Sequence, residues 1–187
     1  SSPLSTIVYR DVGGAYSQLY NNPFGNEQQV RRNRYIIPAG EYTGNPALDV
    51  ILTEKSVSCR SKGIGFTCMA EGSGLAYMEP ADLYALFGNA LENAIEATEQ
   101  LEDPAQISIT VRPVNGFYSV QIQNYTRAPL QLEHGLPQTS KADAQNHGYG
   151  VRSMQLLVEK YGGELSFRQE GEIVSLYLLL PCRTAEK

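Results

Sequence analysis

The sequence predicts an α+β fold, a two-layer α/β sandwich in which helices cover one face of a mixed sheet. Two segments, about residues 80–98 and 150–161, repeat apolar side chains at helical spacing. Shorter segments at 64–68, 107–111, 118–122, 165–167 and 173–180 have the character of strands. With one more helix near residue 46, the order is helix, strand, helix, strand, strand, loop, helix, strand, strand.

The first helix is predicted to start at Asn45 and to end near Gly63. Asn is a favourable N-cap, and Pro46 suits the first helical position. The apolar residues that follow lie on one face: Leu48, Ile51, Leu52 and Cys59. Residues 1–40 carry too little pattern for an assignment, apart from a short extended piece at 36–38.

The strongest helix is predicted from about Pro80 to Thr98, with its apolar residues at i, i+3, i+4, i+7 and i+8. Two alternating segments follow, and Asn115-Gly116 between them is a favoured pair for a tight turn. The second strong helix, about Gly150 to Tyr161, ends at Gly162-Gly163, as helices often do at glycine.

Residues 125–147 are polar and show no period, so an irregular loop is predicted there. A loop of this length inside a compact domain is usually functional, for instance as a lid over a site, or else disordered.

Composition excludes several functional classes. The net charge is −5, and the basic residues are scattered apart from a cluster at Arg31, Arg32 and Arg34, which fits a solvated surface. The absence of a concentrated basic face argues against nucleic acid as a partner. No apolar run approaches a membrane span. Three cysteines, odd in number, fit a reducing compartment, so we expect a cytoplasmic domain.

Asn89 and Asn93 lie four residues apart in the strong helix, so their side chains stack on one side of it, near the margin of the buried stripe. Amide oxygens are hard ligands that suit Mg²⁺. By spacing alone, two surface amides on a helix are the more common explanation of such a pair.

Gly148-Tyr149-Gly150 opens the last helix, where glycines let backbone N–H groups approach a phosphate. Lys141, in the polar loop just before it, could bring a mobile positive charge to a terminal phosphate. An ordinary loop-to-helix turn and an exposed lysine are the alternatives.

Taken together, these motifs resemble a known family. The segment DLYALFGNALENAIEA (82–97) resembles the N-box of the GHKL superfamily of ATPases and histidine kinases, and HGYGVRSMQLLVEKYGGELSF (147–167) resembles its G2 box. EYTGNPALDVILTEK (41–55) and LPQTSKADAQNHGYG (136–150) are similar to the sensor kinases that respond to autoinducing peptides. The resemblance covers about residues 41–181 and implies the Bergerat fold.

The resemblance implies a role for each matching position. Asn93 would ligate the Mg²⁺ of bound ATP, and Asn89 takes the place of the Glu that acts as general base in the hydrolases of the family. The glycines of the 148–150 turn would give backbone amides to the phosphates, beside Tyr149 and His147, under a lid formed by about 125–147. Ser175 would lie near the adenine.

One departure from the family pattern concerns the G1 box, where an Asp of the family accepts a hydrogen bond from the adenine amino group. The corresponding segment here is 121–126, and Asn124 would accept that hydrogen bond without a charge. The glycines that usually follow are missing.

A second departure is the absence of a histidine in a long helix ahead of the catalytic domain. The two histidines, His134 and His147, both lie in the lid region, so a phosphoacceptor His would have to lie outside this chain.

The resemblance divides the chain into an unassigned segment (1–40), the end of a dimerisation-type helix or a linker (41–62) and the GHKL domain (63–187). It implies a membrane-anchored parent kinase with a dimerisation and phosphoacceptor domain and, indirectly, a response regulator. Two alternatives stay open: a degenerate GHKL domain that serves as a docking or dimerisation module, and a hydrolytic ATPase, against which Asn89 counts.

Overall fold

The structure is a computed structural model, and it describes residues 9–10, 37–38, 43–102, 106–138 and 148–182. Three helices are present in these ranges: α1 (Pro46–Ser61), α2 (Pro80–Glu99) and α3 (Gly148–Lys160), with a short 3-10 turn at Ser73–Leu75. The strands are β1 (Tyr9–Arg10), β2 (Ile37–Pro38), β3 (Gly65–Ala70), β4 (Gln106–Val114), β5 (Phe117–Tyr125), β6 (Leu132–Glu133), β7 (Leu136–Pro137), β8 (Glu164–Glu170) and β9 (Ile173–Pro181).

The central sheet has five strands in the order β3-β4-β5-β9-β8. Strands β3 and β4 are parallel because α2 returns the chain between them, and the other neighbours are antiparallel. Asn115 and Gly116 join β4 to β5 with φ of 49° and 82°, the left-handed pair that a two-residue hairpin turn requires. The predicted mixed sheet is confirmed.

The core lies between one face of this sheet and the helices. Alternate residues of each strand point toward the helices: Phe66, Cys68 and Ala70 in β3, Ile107, Ile109 and Val111 in β4, and Tyr118, Val120 and Ile122 in β5. They pack with the apolar stripe predicted for α2, whose members are all buried: Leu83, Leu86, Phe87, Ala90, Leu91, Ala94 and Ile95. A two-layer α+β sandwich, as predicted, is the observed fold.

Helix α1 is fixed at its start by a hydrogen-bonded clasp, which we define as Thr43, Asn45 and Gly72. The Asn45 side chain accepts a hydrogen bond from Leu48 N (3.2 Å) as the N-cap and donates one to Gly72 O (3.4 Å). Gly72 N donates in turn to Thr43 O at 2.6 Å. The clasp joins the beginning of α1 to the segment that leaves β3.

The reverse face of the sheet carries polar side chains with unpaired atoms. Thr67 and Gln106 are 3% and 1% exposed, yet the Thr67 hydroxyl and both amide atoms of Gln106 lack a hydrogen-bond partner, as does Gln123 Oε1. Buried polar atoms without partners are costly, and native proteins have few.

The irregular loop predicted at 125–147 is confirmed at residues 126–131, but the prediction is wrong for the described residues on either side. Strand β5 extends to Tyr125, and β6 and β7 form a small hairpin whose turn residues His134 and Gly135 have φ of 51° and 75°. Gly135 O accepts a hydrogen bond from Phe167 N (2.7 Å), which ties the hairpin to β8. Two-residue strands are too short to show a period in the sequence.

In the portion of the chain that the structure describes, no helix is long and apolar enough to span a bilayer.

Candidate functional site

A pocket of about 340 Å³ opens between α2, β5, β9 and the first turn of α3. Its apolar wall includes Ala90, Ala94, Ile122, Val151, Val174 and Leu176. Its polar groups are Asn93, Glu96, Gln100, Asn124, Thr126 and Gln138. An apolar cleft with a few convergent polar groups is the usual form of a small-molecule site, and this volume lies in the usual range.

Asn93 lies at the end of the pocket where α2 meets the start of α3. It is half-buried, and an ideal Cβ built on Gly150 would lie 3.5 Å from its Oδ1 atom. The absence of a side chain at Gly150 therefore keeps the space between this amide oxygen and the first turn of α3 open. The two predicted motifs, about 55 residues apart in sequence, meet at one point.

Helix N-termini favour negative charge, because their first N–H groups have no partner within the helix. α3 begins at Gly148, so Gly148, Tyr149 and Gly150 form its first turn, next to Asn93. A hard amide oxygen facing a helix N-terminus is an arrangement suited to an anion with a bound divalent cation.

Asn89 is half-buried in α2, one turn before Asn93, but it is not among the residues that line the pocket. The structure therefore brings one of the two predicted amides into the pocket wall and leaves the other beside it. Like Asn93, Asn89 lacks a group that could take up a proton at neutral pH.

Asn124 lies in β5 at the floor of the pocket and is 6% exposed. Its Nδ2 atom donates a hydrogen bond to Tyr125 O at 3.1 Å. This bond uses one of the two amide N–H groups, and the amide oxygen Oδ1 can accept hydrogen bonds.

Ser175 does not join these residues, and the prediction that placed it near a bound base is corrected. In the antiparallel register, Asn124 pairs with Val174 and Gln123 pairs with Ser175, and paired residues share a face of the sheet. Val174 consequently lines the pocket, whereas Ser175 Oγ accepts a hydrogen bond from Gln123 Nε2 (3.0 Å) on the reverse face. The predicted residue, Ser175, and the residue that lines the pocket, Val174, are therefore neighbours in the sequence.

Lys141 and His147, two further predicted site residues, lie outside the described residues. Three polar residues that no sequence motif identified also line the pocket: Glu96, Gln100 and Gln138. Glu96 and Gln100 stand three and seven positions after Asn93, a helical spacing that could have identified them. Gln138 follows the β6–β7 hairpin, and no sequence pattern pointed to it.

The far ends of α2 and α3 are held together by polar contacts. Asp82 accepts hydrogen bonds from Lys160 Nζ (2.6 Å) and from the Tyr161 hydroxyl (2.5 Å). The bond from Lys160, followed by that from Tyr161, lowers the pKa of Asp82. The Tyr161 ring also packs edge-on against Tyr77, with ring centroids 5.9 Å apart. These contacts fix the direction in which α3 approaches Asn93.

Within the described ranges, no group of three or more His, Cys, Asp or Glu side chains could hold a metal ion unaided. A divalent cation at Asn93 would therefore need ligands from the bound anion, which is the usual manner of Mg²⁺ in phosphate sites.

A family model described as the GHKL domain matches residues 78–181. The chain belongs to the GHKL family. The match begins just before α2 and ends at the last residue of β9, so it contains the whole pocket. No curated protein matches this chain.

Solved structures share the fold of this GHKL domain. The catalytic domain of histidine kinase ThkA is 18% identical, with a TM-score of 0.55 over 73% of this chain and 90% of that one. Full-length ShkA in complex with AMPPNP is 15% identical, with a TM-score of 0.51 over 75% of this chain and 30% of that one. The histidine kinase domain of the blue-light activated kinase from Erythrobacter litoralis EL346 is 16% identical, with a TM-score of 0.50 over 73% of this chain and 61% of that one.

Proposed function

We propose that this GHKL domain binds ATP with Mg²⁺ in the pocket between α2 and β5 and acts as the catalytic domain of a sensor histidine kinase. The observation that carries the proposal is the meeting of Asn93 Oδ1 with the glycine-opened N-terminus of α3. The family and the fold agree with it, and ShkA, which shares the fold, was solved in complex with AMPPNP.

In this proposal the adenine lies on the apolar floor formed by Ile122, Val174 and Leu176, with Asn124 Oδ1 accepting a hydrogen bond from its amino group. The triphosphate extends toward Asn93 and α3. Gly148 and Gly150 supply backbone N–H groups, Tyr149 and His147 flank them, and Lys141 adds a positive charge.

Asn93 would hold the magnesium ion, which would neutralise charge on the phosphates when bound. The chain's own residues position the nucleotide and exclude water, the two effects on which phosphoryl transfer mostly depends. Asn89 stands where the hydrolases of the family carry a base. An amide there accepts no proton, which disfavours loss of the γ-phosphoryl group to water.

The phosphoacceptor in this proposal is a histidine outside this chain. Residues 41–62, which contain α1, would be the end of a dimerisation-type helix or a linker, and 63–187 the catalytic domain. The parent would be a membrane-anchored kinase of the peptide-sensing subgroup, this domain lying in the cytoplasm and the signal passing to a response regulator.

Titration with a non-hydrolysable ATP analogue in excess Mg²⁺, followed by calorimetry and by the melting temperature, tests the binding. A ligand at about 100 times its Kd stabilises the folded state by about 2.7 kcal/mol, so the melting temperature should rise. Asn93→Ala should abolish the magnesium-dependent part of the affinity. Asn89→Ala is the matched control, because it should reduce transfer more than binding. A folded protein that shows no binding heat and no change of melting temperature in millimolar nucleotide would refute the proposal and indicate a docking module instead.

A further inference from the structure

Residues 128–138 form a flap beside the pocket. The flap contains the β6–β7 hairpin, and three of its residues line the pocket: Leu130, Pro137 and Gln138. Every residue of the flap is exposed or only half-buried, so apolar packing contributes little to its position. The place of the flap against the pocket therefore depends mainly on polar contacts with the sheet.

One side chain of β8, that of Gln169, holds the start of the flap with both ends of its amide. Its Oε1 atom accepts a hydrogen bond from Leu130 N at 2.7 Å, and its Nε2 atom donates one to Ala128 O at 3.3 Å. The same nitrogen also donates to Gly171 O at 3.1 Å, in the turn between β8 and β9. The amide thus joins the segment that leads into the hairpin to the end of β8.

A backbone contact holds the hairpin turn at the other side of the flap. Phe167, which lines the pocket two residues before Gln169 in β8, donates its N–H group to Gly135 O at 2.7 Å. Residues two apart in a strand face the same side of a sheet, so Phe167 and Gln169 share a face. The flap is fixed to β8 at two points, and the contact at Gln169 is the one that depends on the identity of a side chain.

We propose that Gln169 is a positioning residue, which holds the flap in the place where Leu130 and Pro137 complete the pocket wall around the nucleobase. The inference rests on the proposed function and adds a residue that does not itself line the pocket. Leu130 and Pro137 are apolar, so they suit the base rather than the phosphates or magnesium. The contacts require a donor and an acceptor at the end of one side chain, which an amide has and a carboxylate or an apolar group lacks.

Loss of this amide should allow the flap to leave its place for part of the time. The nucleotide then binds only to the fraction of molecules whose flap is in position, and the apparent Kd rises in inverse proportion to that fraction. Because the wall surrounds the base, the factor should be the same with and without magnesium. Loss of the Asn93 amide should instead weaken the magnesium-dependent part of the affinity, so a binding measurement separates the two roles.

The experiment compares the wild type with Gln169→Met, which keeps the length of the side chain and removes its donor and acceptor. The first measurement is the Kd of a non-hydrolysable ATP analogue, in excess MgCl₂ and in EDTA, and we expect it to rise about tenfold in both. The second is hydrogen exchange at the Leu130 amide, which donates to Gln169 in the wild type. Exchange should accelerate there, while the amides of the central strands keep their protection.

The matched control is Gln121→Met in β5, which removes a hydrogen bond from an amide of the same kind to the Tyr177 hydroxyl (3.2 Å), away from the pocket lining. Its nucleotide affinity and its Leu130 exchange should equal those of the wild type. Wild-type affinity in a folded Gln169→Met protein, or an equal loss in the Gln121 control, would overturn the inference.

If Gln169→Met fails to fold, Gln169→Asn decides by the same criteria, because its amide is one methylene group too short to make all three contacts. A wild-type protein that binds no nucleotide even with Mg²⁺ would refute the proposed function, and this inference with it.

Discussion

At the scale of single residues, the pocket depends on small differences in side-chain direction. Asn124 and Ser175 both lie in the strands under the pocket, yet one side chain faces it and the other faces away. The alternation of a strand is strict, so a position misassigned by one residue exchanges the two faces. Sequence motifs locate a strand more easily than they fix which of its residues face the pocket, which explains why Ser175 was predicted there in place of Val174.

Thr67 offers a test of the polar groups on the reverse face. Its buried hydroxyl has no hydrogen-bond partner, so Thr67→Val removes an unpaired group at nearly constant volume, in a strand that favours Val. We expect the free energy of unfolding to rise by about 1 kcal/mol, measured by urea denaturation.

The control for this prediction is Thr98→Val, the same change where the hydroxyl has a partner. Thr98 is fully buried and donates to Ala94 O at 2.7 Å, so the substitution should lower the stability by about 1 kcal/mol. If both variants shifted the stability in the same direction, the hydroxyl of Thr67 would not be the cause.

At the scale of elements, the site depends on the two ends of α3. One end is anchored to α2 through Asp82 and Tyr161, and the other begins at the glycine turn beside Asn93. The helix periodicity could be predicted from Val151, Met154 and Val158, and these residues are buried or half-buried as expected. The polar residues that bridge α2 and α3 could not be predicted. Asp82 and Tyr161 lie 79 residues apart in the sequence, and only the packing angle of the two helices brings them together.

Two glycines near the ends of α3 should respond differently to a methyl group. In Gly150→Ala the new Cβ makes an ordinary contact, 3.5 Å from Asn93 Oδ1, and alanine favours the helix, so the stability should hold or rise by up to about 1 kcal/mol. The methyl group fills the space assigned to phosphate and magnesium, so nucleotide affinity should fall at least about tenfold, or about 1.4 kcal/mol.

Gly163→Ala is the contrasting variant, since its Cβ would overlap the carbonyl oxygen of Leu179, a backbone atom that has little room to move. We expect a loss of stability of about 1–3 kcal/mol. Thermal unfolding and calorimetry on the two variants separate a binding defect from a folding defect. Normal nucleotide affinity in a stable Gly150→Ala protein would argue against phosphate binding at this turn.

At the scale of the whole molecule, the order of elements and the class of the fold followed from periodicity. The stripe of α2 and the alternation of β4 and β5 are long enough to be unambiguous. The hairpin of β6 and β7 was missed because each strand has two residues, although the His134-Gly135 pair is a turn signal in hindsight. Its position against β8 follows from tertiary hydrogen bonds that local sequence does not encode.

The core also predicts how stability varies at alkaline pH. Burial raises the pKa of the Cys59 thiol to about 12, and burial followed by the hydrogen bond to Glu71 raises that of Tyr118 to about 12. Both groups hold their protons more tightly in the folded state. Their stabilisation is therefore complete below about pH 9 and is lost as the pH rises toward about 12.

Urea denaturation at pH 8, 9.5 and 11 measures this loss. In a Cys59→Ala, Tyr118→Phe variant, whose overall stability is lower, the decline between pH 9 and 11 should be shallower than in the wild type. An equally steep decline would assign the alkaline sensitivity to other groups.

The clasp at Thr43, Asn45 and Gly72 has a mechanical consequence. Helix α1, which it anchors, is joined to α2 by the ion pair of Lys55 with Glu92 (2.7 Å) and by the contact of Tyr84 with Glu54. Glu92 immediately precedes Asn93 in the chain. These contacts connect the clasp, through α1, to the residue next to the Asn93 amide, so a displacement of α1 would act directly on the wall of the pocket.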